Sequence, residues 1–135
     1  MEVTRMSDYE KYLFRGKEKD SGKWIYGDLR HISDGLGGYT LNIVDNTSGR
    51  NNDVTGVEVI PETVGQYTGL TDKNARRIFD GDIVKNNHFD KVEEVRYVDN
   101  RKRIMFCGIN YVTDLEYINE NDYEVIGNIY DTPSY

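Results

Sequence analysis

Residues 66–85, QYTGLTDKNARRIFDGDIVK, decide between a helical and a β-sheet fold. As a helix, the stretch would not keep its apolar residues on one 3.6-residue stripe, and Gly69 and Gly81 would interrupt it. As strands, QYTGL and RIF flank a turn at TDKNAR, and DGD forms a second turn before DIVK. Asp72 and Asn74 suit the first turn because their side chains hydrogen-bond to nearby backbone groups. The stretch therefore predicts a β-hairpin followed by a tight turn.

The rest of the chain also favours short strands separated by polar turns. Tyr39, Leu41 and Ile43 alternate along YTLNIV, which predicts a strand with one apolar face. The run RIMFCGINYV is the most apolar and is expected at the centre of a core. We expect an all-β fold of two packed small β-rich parts, each sandwich-like or barrel-like. The parts are predicted at residues 1–80 and 81–135.

Composition limits the classes of function. The net charge is −7, so the chain repels phosphate backbones, and nucleic-acid binding is not expected to be its main task. The start, MEVTRMSDYEKY, lacks the apolar segment of a signal peptide, and no apolar run reaches the length of a bilayer span. We therefore expect a cytoplasmic protein without a membrane partner.

The motifs of metal and phosphate sites do not fit this sequence. A calcium loop starting at Asp45 would place Gly49, Arg50 and Gly56 where it needs an oxygen ligand, a glycine and a glutamate. The sequence GLGG is not followed by the Gly-Lys-Ser/Thr of a phosphate-binding loop. Neither His31 nor His88 has a neighbour at the spacing of zinc ligands.

Two carboxylates and one thiol remain as candidates for chemistry. Asp80 and Asp82 flank Gly81 and could bind a hard cation, although a DGD turn more often uses them as acceptors for turn amides. The single cysteine, Cys107, lies in an apolar run and is expected to be a small buried hydrophobe. We expect no enzymatic activity, no metal site and no cofactor.

Candidate partner-binding residues form a basic group and an aromatic group, which are Lys73, Arg76 and Arg77, and Trp24, Tyr26 and Tyr67. The basic group could hold an anion or an acidic protein surface. The aromatic group could offer stacking or hot-spot contacts. The alternatives are a core position for Trp24 and the rim of a hairpin for the arginines.

Four stretches of the chain resemble the YopX family of phage and prophage proteins: FRGKEKDSGKWIYGDL, IPETVGQYTGLTDKN, RIFDGDIV and EVIGNIYDTP. The resemblance implies an all-β protein whose second part is like a small SH3-type barrel, expressed from a phage or prophage gene in a bacterial cytoplasm. It implies no activity, and no catalytic residue is carried over. Where the family often has Asn-Gly, this chain has Asn74-Ala75, so we expect a turn other than a tight two-residue type I′ turn.

Together these observations predict a non-catalytic protein-interaction or self-assembly module with a protein partner or a homo-oligomeric state. The alternative is nucleic-acid or nucleotide binding through Lys73, Arg76, Arg77 and nearby aromatic residues. A third hypothesis is an enzyme that uses Asp80 or Asp82 with a metal.

Overall fold

The computed structural model describes residues 13–45 and 55–131. These residues form eleven β-strands and three short 3₁₀ helices, and none of them lies in an α-helix. All named strand pairs are antiparallel. The chain divides into two compact units, Met1–Gln66 and Tyr67–Tyr135. The prediction of an all-β fold with two β-rich parts is confirmed.

The first unit contains one antiparallel sheet. Its strands are β1 (Phe14–Lys17), β2 (Trp24–Ser33), β3 (Tyr39–Val44), β4 (Val57–Glu58) and the beginning of β5 (Gly65–Thr71). They lie in the order β4-β3-β2-β1-β5. The 3₁₀ helix Pro61–Thr63 precedes β5, and the Thr63 hydroxyl accepts a hydrogen bond of 2.9 Å from the backbone N–H of Lys17.

The core of the first unit gathers near the end of β3. Ile43, Val44 and Val59 are buried, whereas Tyr39 at the start of the strand is exposed. The predicted alternation therefore gives way to burial on both faces as the strand enters the core. Gly16 on β1 permits this packing, because a Cβ there would lie 3.1 Å from the Val59 side chain.

The second unit contains the β5–β6 hairpin and a five-stranded sheet. Its strands after β5 are β6 (Arg77–Phe79), β7 (Asp82–Asn86), β8 (Lys91–Val98), β9 (Arg103–Cys107), β10 (Val112–Asp114) and β11 (Tyr123–Asn128). The sheet has the order β10-β9-β8-β7-β11. The 3₁₀ helices Leu115–Tyr117 and Glu120–Asp122 connect β10 to β11. The closer likeness of this unit to an SH3 barrel stays a prediction.

The core of the second unit lies on one face of this sheet. Its buried residues are Ile78, Val84, Val95, Phe106, Tyr123 and Val125. Phe106 from the predicted central run is fully buried, and its ring meets that of Tyr123 edge to face at 4.9 Å. The same run contains Cys107, which is buried as expected. Burial of these large side chains supplies the main stabilisation of the unit.

The hairpin predicted from residues 66–85 is present. Asp72 is buried in its turn, and its carboxylate oxygen Oδ1 accepts the N–H groups of Asn74 and Arg76, each at 2.9 Å. Ala75 has φ 63°, the left-handed region that alanine tolerates poorly. The Asp72 N–H bonds to the Arg76 carbonyl, which leaves three residues in the turn. The expectation that this is not a two-residue turn is confirmed.

The second turn of the stretch is held by Asp82 and Gly81. The Asp82 side chain is buried and accepts the Phe79 N–H at 2.7 Å, which confirms the predicted use of this carboxylate in the turn. Gly81 has φ 98°, and its N–H and carbonyl bond to Val95 and Ile129. The turn between β6 and β7 is therefore bonded to β8 and to the residue that follows β11.

The two units meet in sequence within β5, between Gln66 and Tyr67, and not at the predicted position between residues 80 and 81. The end of the hairpin belongs to the second unit because it bonds to β11. The second carboxylate oxygen of Asp72 accepts the Val125 N–H at 2.9 Å, and the Lys73 N–H donates to the Tyr123 carbonyl at 3.0 Å. These partners are about fifty residues away in sequence, so local turn signals did not reveal them.

Candidate functional site

The aromatic residues predicted on β2 lie on one face of the first unit. Trp24 and Tyr26 are two positions apart, and both side chains are partly exposed. The Arg15 guanidinium carbon lies 4.5 Å from the centre of the Trp24 ring, and the Lys17 ammonium lies 5.5 Å from it. Trp24 is thus already in contact with two cations of its own chain. Binding of a partner by this face stays a prediction.

The other four predicted residues lie in the β5–β6 hairpin of the second unit. Tyr67 is only 7% exposed and packs on the Phe79 ring at 5.5 Å. Lys73 pairs with Glu124 at 3.5 Å, and Arg76 and Arg77 are exposed. The basic residues therefore lie near carboxylates, that of Asp72 in the turn and that of Glu124 on β11. Their role in binding an anion or a nucleic acid stays a prediction.

A different set of side chains forms the most developed site in the second unit. A cavity of about 340 Å³ opens at one end of the core face of the five-stranded sheet. Glu93 lines it from β8, although its side chain is 97% buried. The carboxylate oxygen Oε2 accepts the Tyr111 hydroxyl. The other oxygen, Oε1, is buried and accepts no hydrogen bond from the described residues.

Strand alternation explains why Glu93 faces inward. Glu93 and Val95 are two residues apart on β8, so both side chains point to the same side of the sheet. Val95 is fully buried in the core, and Glu93 continues that row toward the cavity. Glu93 pairs in register with Val84 of β7, another core residue. The fold therefore places a carboxylate in a row of side chains that is otherwise apolar and buried.

Hydroxyl groups surround the carboxylate. The hydrogen bond to Glu93 raises the pKa of Tyr111 to about 12, and burial and the negative charge of Glu93 act in the same direction. Burial raises the pKa of Tyr123 further above its ordinary range, and the charge of Glu93 adds to this. The Tyr123 oxygen accepts a hydrogen bond of 3.2 Å from the amide of Asn86. The Tyr123 hydroxyl also interacts with the Glu93 carboxylate, which raises its pKa further, but no hydrogen bond of normal length and angle joins it to Oε1.

The connection between β10 and β11 supplies the remaining wall of the cavity. Tyr117, Asn119 and Asp122 line it from the two 3₁₀ helices and the link between them. The Asn119 side chain accepts the Asn121 N–H and so caps the second of these helices. The site thus combines aromatic rings with two carboxylates, those of Glu93 and Asp122, in one pocket.

A second cavity, of about 440 Å³, adjoins the first. Both are lined by Lys91 and Tyr111. The Lys91 ammonium lies 5.2 Å from the centre of the Tyr111 ring. Val92 and Ile109 line the second cavity and are 55% and 102% exposed. An apolar surface of this kind next to a pocket is typical of binding sites.

Glu93 and its pocket are not among the residues predicted from the sequence. The available signal was the two-residue spacing of Glu93 and Val95, which places both side chains on one face of the strand. A charged residue on the apolar face of a strand is rare without a partner or a function. The signal became decisive only when the pairing of β8 with its neighbours showed which face is the core.

The remaining sequence predictions concern a calcium loop, a metal site and a membrane span. The calcium loop considered from Asp45 falls largely on residues 46–54, which lie outside the described residues. Within residues 13–45 and 55–131, no three His, Cys, Asp or Glu side chains cluster as metal ligands do. None of the helices in these ranges has the length and hydropathy of a transmembrane segment.

Comparison with protein families adds one finding to this geometry. Residues 13–135 match the family described as YopX protein. The chain therefore belongs to the YopX family, and the resemblance of its four stretches is confirmed. No curated protein matches the chain.

Proposed function

We propose that this chain is a non-catalytic protein-interaction module and that the cavity face of its second unit binds the partner. The observation that carries the proposal is the position of exposed apolar side chains around the two adjoining cavities. Phe89, Val92 and Ile109 are all more than half exposed, and each lines one of the cavities. Interfaces concentrate their binding energy in such pockets with apolar and aromatic surroundings.

The surface also has the polar groups that give an interaction its specificity. Asp90, Lys91 and Asn110 line the second cavity beside Val92 and Ile109. A few polar groups within a mostly apolar lining are typical of sites that orient a ligand. In this proposal the partner is another protein, and its segment covers the apolar side chains and enters the tyrosine-lined pocket.

The proposal includes the setting that the family resemblance implies. The chain is the product of a phage or prophage gene and acts in the cytoplasm of the bacterial host. Its partner is then a phage or host protein, and self-assembly is the competing case. Support for this part comes from the matched family and from the four stretches that resemble it.

Two matched variants test the interaction face. Ile109→Asp places a charge on the proposed surface, and Leu36→Asp places the same charge at a residue that is 91% exposed in the first unit. We expect Ile109→Asp to abolish partner capture from the host, whereas Leu36→Asp should retain it. Crosslinking followed by mass spectrometry should place the contacts on Phe89, Val92 or Ile109. Equal capture by both variants, or crosslinks elsewhere, would show that this face is not the interface.

Light scattering separates self-assembly from binding of a different protein. A wild-type chain that is monomeric at high concentration, together with capture that depends on Ile109, supports a different partner. Oligomerisation that Ile109→Asp abolishes and Leu36→Asp does not would assign the same face to self-assembly.

A further inference from the structure

We propose that the pocket around Glu93 takes the guanidinium group of an arginine side chain from the partner. This inference rests on the proposed function, because it names the chemical group that the partner inserts. Its central observation is the buried Oε1 atom of Glu93, which has no hydrogen-bond donor among the described residues. A buried acceptor without a donor is costly, so such atoms usually mark a bound water, ion or ligand.

The size of the cavity favours a ligand over one bound water. Water occupies about 30 Å³ in the liquid, so this cavity has room for much more than one molecule. The cavity measures about 340 Å³ and lies within the range of small-ligand pockets, about 300–1,000 Å³. A group larger than water can therefore enter the cavity, and the lining side chains must shift to bring a donor against Oε1, because that atom is itself buried.

The lining indicates that the occupant is a donor with positive charge. Glu93 and Asp122 offer carboxylates, and the side chains of Tyr111, Tyr117 and Tyr123 offer aromatic rings. A guanidinium group donates several hydrogen bonds in one plane and stacks on aromatic faces, so it matches both features. The overall charge of −7 also attracts a cation over longer distances.

Lys91 is the one basic residue of this lining and makes the inference testable. Its ammonium already lies over the Tyr111 ring, which shows that a cation is accommodated at this wall. The same charge repels an arginine that approaches Glu93, whereas it attracts a phosphate-bearing ligand. Neutralising Lys91 should therefore strengthen arginine binding and weaken nucleotide binding.

The experiment is an NMR titration of the full chain with N-acetyl-arginine methylamide, with the citrulline analogue as an uncharged control of similar shape. We expect saturable shifts at Glu93, Tyr111 and Tyr123 with the arginine compound and none with the citrulline compound. Glu93→Gln should weaken binding by about tenfold or more, because it replaces the acceptor at Oε1 with an amide donor. Glu94→Gln is the matched control, since Glu94 faces the other side of β8, and it should bind as the wild type does.

A stability measurement distinguishes a ligand site from a structural role of Glu93. If Glu93 served only the fold, Glu93→Gln would lower the urea midpoint, because the charged acceptor of the Tyr111 hydrogen bond becomes a weaker neutral one. We expect the midpoint to stay or rise, because the substitution removes an unsatisfied buried carboxylate while its amide oxygen still accepts from Tyr111. Loss of binding with retained stability supports the proposal.

Three results would overturn the assignment. The first is the absence of shifts at Glu93 and Tyr111 with the arginine compound, which would leave water as the partner of Oε1. The second is equal binding by wild type and Glu93→Gln. The third is binding of adenosine or cytidine monophosphate at the same residues that weakens in Lys91→Gln, which would favour a nucleotide. If Ile109→Asp still abolishes partner capture, the proposed function survives each of these results.

Discussion

Asp72→Asn tests the joint between the hairpin turn and β11. The carboxylate accepts three backbone N–H groups, those of Asn74 and Arg76 at one oxygen and that of Val125 at the other, each at 2.9 Å. Asparagine keeps a single oxygen. If that oxygen stays with the turn, its amide nitrogen faces the Val125 N–H, and two donors then oppose each other in a buried position.

The expected cost follows from these contacts. An unpaired buried donor costs about 1–3 kcal/mol. The two turn bonds change from a charged to a neutral acceptor, which makes each of them roughly half as strong. Asp72→Asn should therefore lower the free energy of unfolding of the second unit by about 3 kcal/mol, which is roughly a hundredfold in its unfolding equilibrium.

The loss of stability in Asp72→Asn should become smaller as the pH falls. Burial alone would raise the pKa of Asp72, but the N–H donors of Val125, Arg76 and Asn74 outweigh it and hold the pKa below the ordinary 3.8. A carboxyl group with a lowered native pKa stabilises fully above its unfolded pKa and loses that effect as the pH falls through the native value. The difference in free energy of unfolding between wild type and Asp72→Asn should therefore be largest at pH 7 and shrink below about pH 4.

Urea titrations at several pH values measure the free energy of unfolding of the second unit. The NMR resonances of Val125 and its neighbours serve as the probe. Asp90→Asn is the control, since Asp90 is exposed in a turn with φ 54° and asparagine also tolerates that conformation. Its ion pair with Lys85 is exposed, so its loss should change stability by less than about 1 kcal/mol. A loss below about 0.5 kcal/mol in Asp72→Asn, or one independent of pH, would refute the reasoning.

Three further predictions concern single positions. Ala75→Gly should raise the urea midpoint, with a gain of about 0.5 kcal/mol, because relief of the strain at φ 63° exceeds the entropy that glycine adds to the unfolded chain; a lower midpoint would contradict this. Gly81→Ala should lower the melting temperature, at a cost of about 2 kcal/mol or more, because it combines φ 98° with a Cβ 2.7 Å from the Tyr130 ring. Gly22→Ala should lower the melting temperature less, since its Cβ would meet nothing within 4 Å. An equal decrease in both variants would show that the Tyr130 contact is not the cause. Tyr111 should ionise near pH 12 in a spectrophotometric titration, and Tyr111→Phe should remove one late-ionising tyrosine; because its native pKa is raised, its stabilising effect is complete below pH 10 and is lost as the pH rises through 12.

Local chemistry was enough to predict the hairpin and its turns. Gly69 and Gly81 broke the helical period, and Asp72 has a side chain that forms turns, so nearby sequence carried the information. The burial of Cys107 followed from the apolar residues around it in the same way. Such features depend on a few consecutive residues, and the structure confirms them.

The site depends on pairing between distant residues. Glu93 is separated from Tyr111 by 18 positions and Asn86 from Tyr123 by 37, and no local pattern indicates that they meet. Tyr67 illustrates the same limit, because an aromatic residue proposed for a surface lies in the core against Phe79. Alternation reveals the two faces of a strand, but sheet order decides which face is buried.

The bonds from the hairpin turn to β11 also affect how the protein behaves in concentrated solution. β11 is an edge strand of its sheet, and an open edge can recruit a strand from another molecule and start aggregation. Here the Val125 N–H is bonded to Asp72 and the Tyr123 carbonyl to Lys73, so the turn occupies groups that a foreign strand would need. The charged hairpin end thus protects a sheet edge, and a chain in which it detaches would be prone to form intermolecular β-structure.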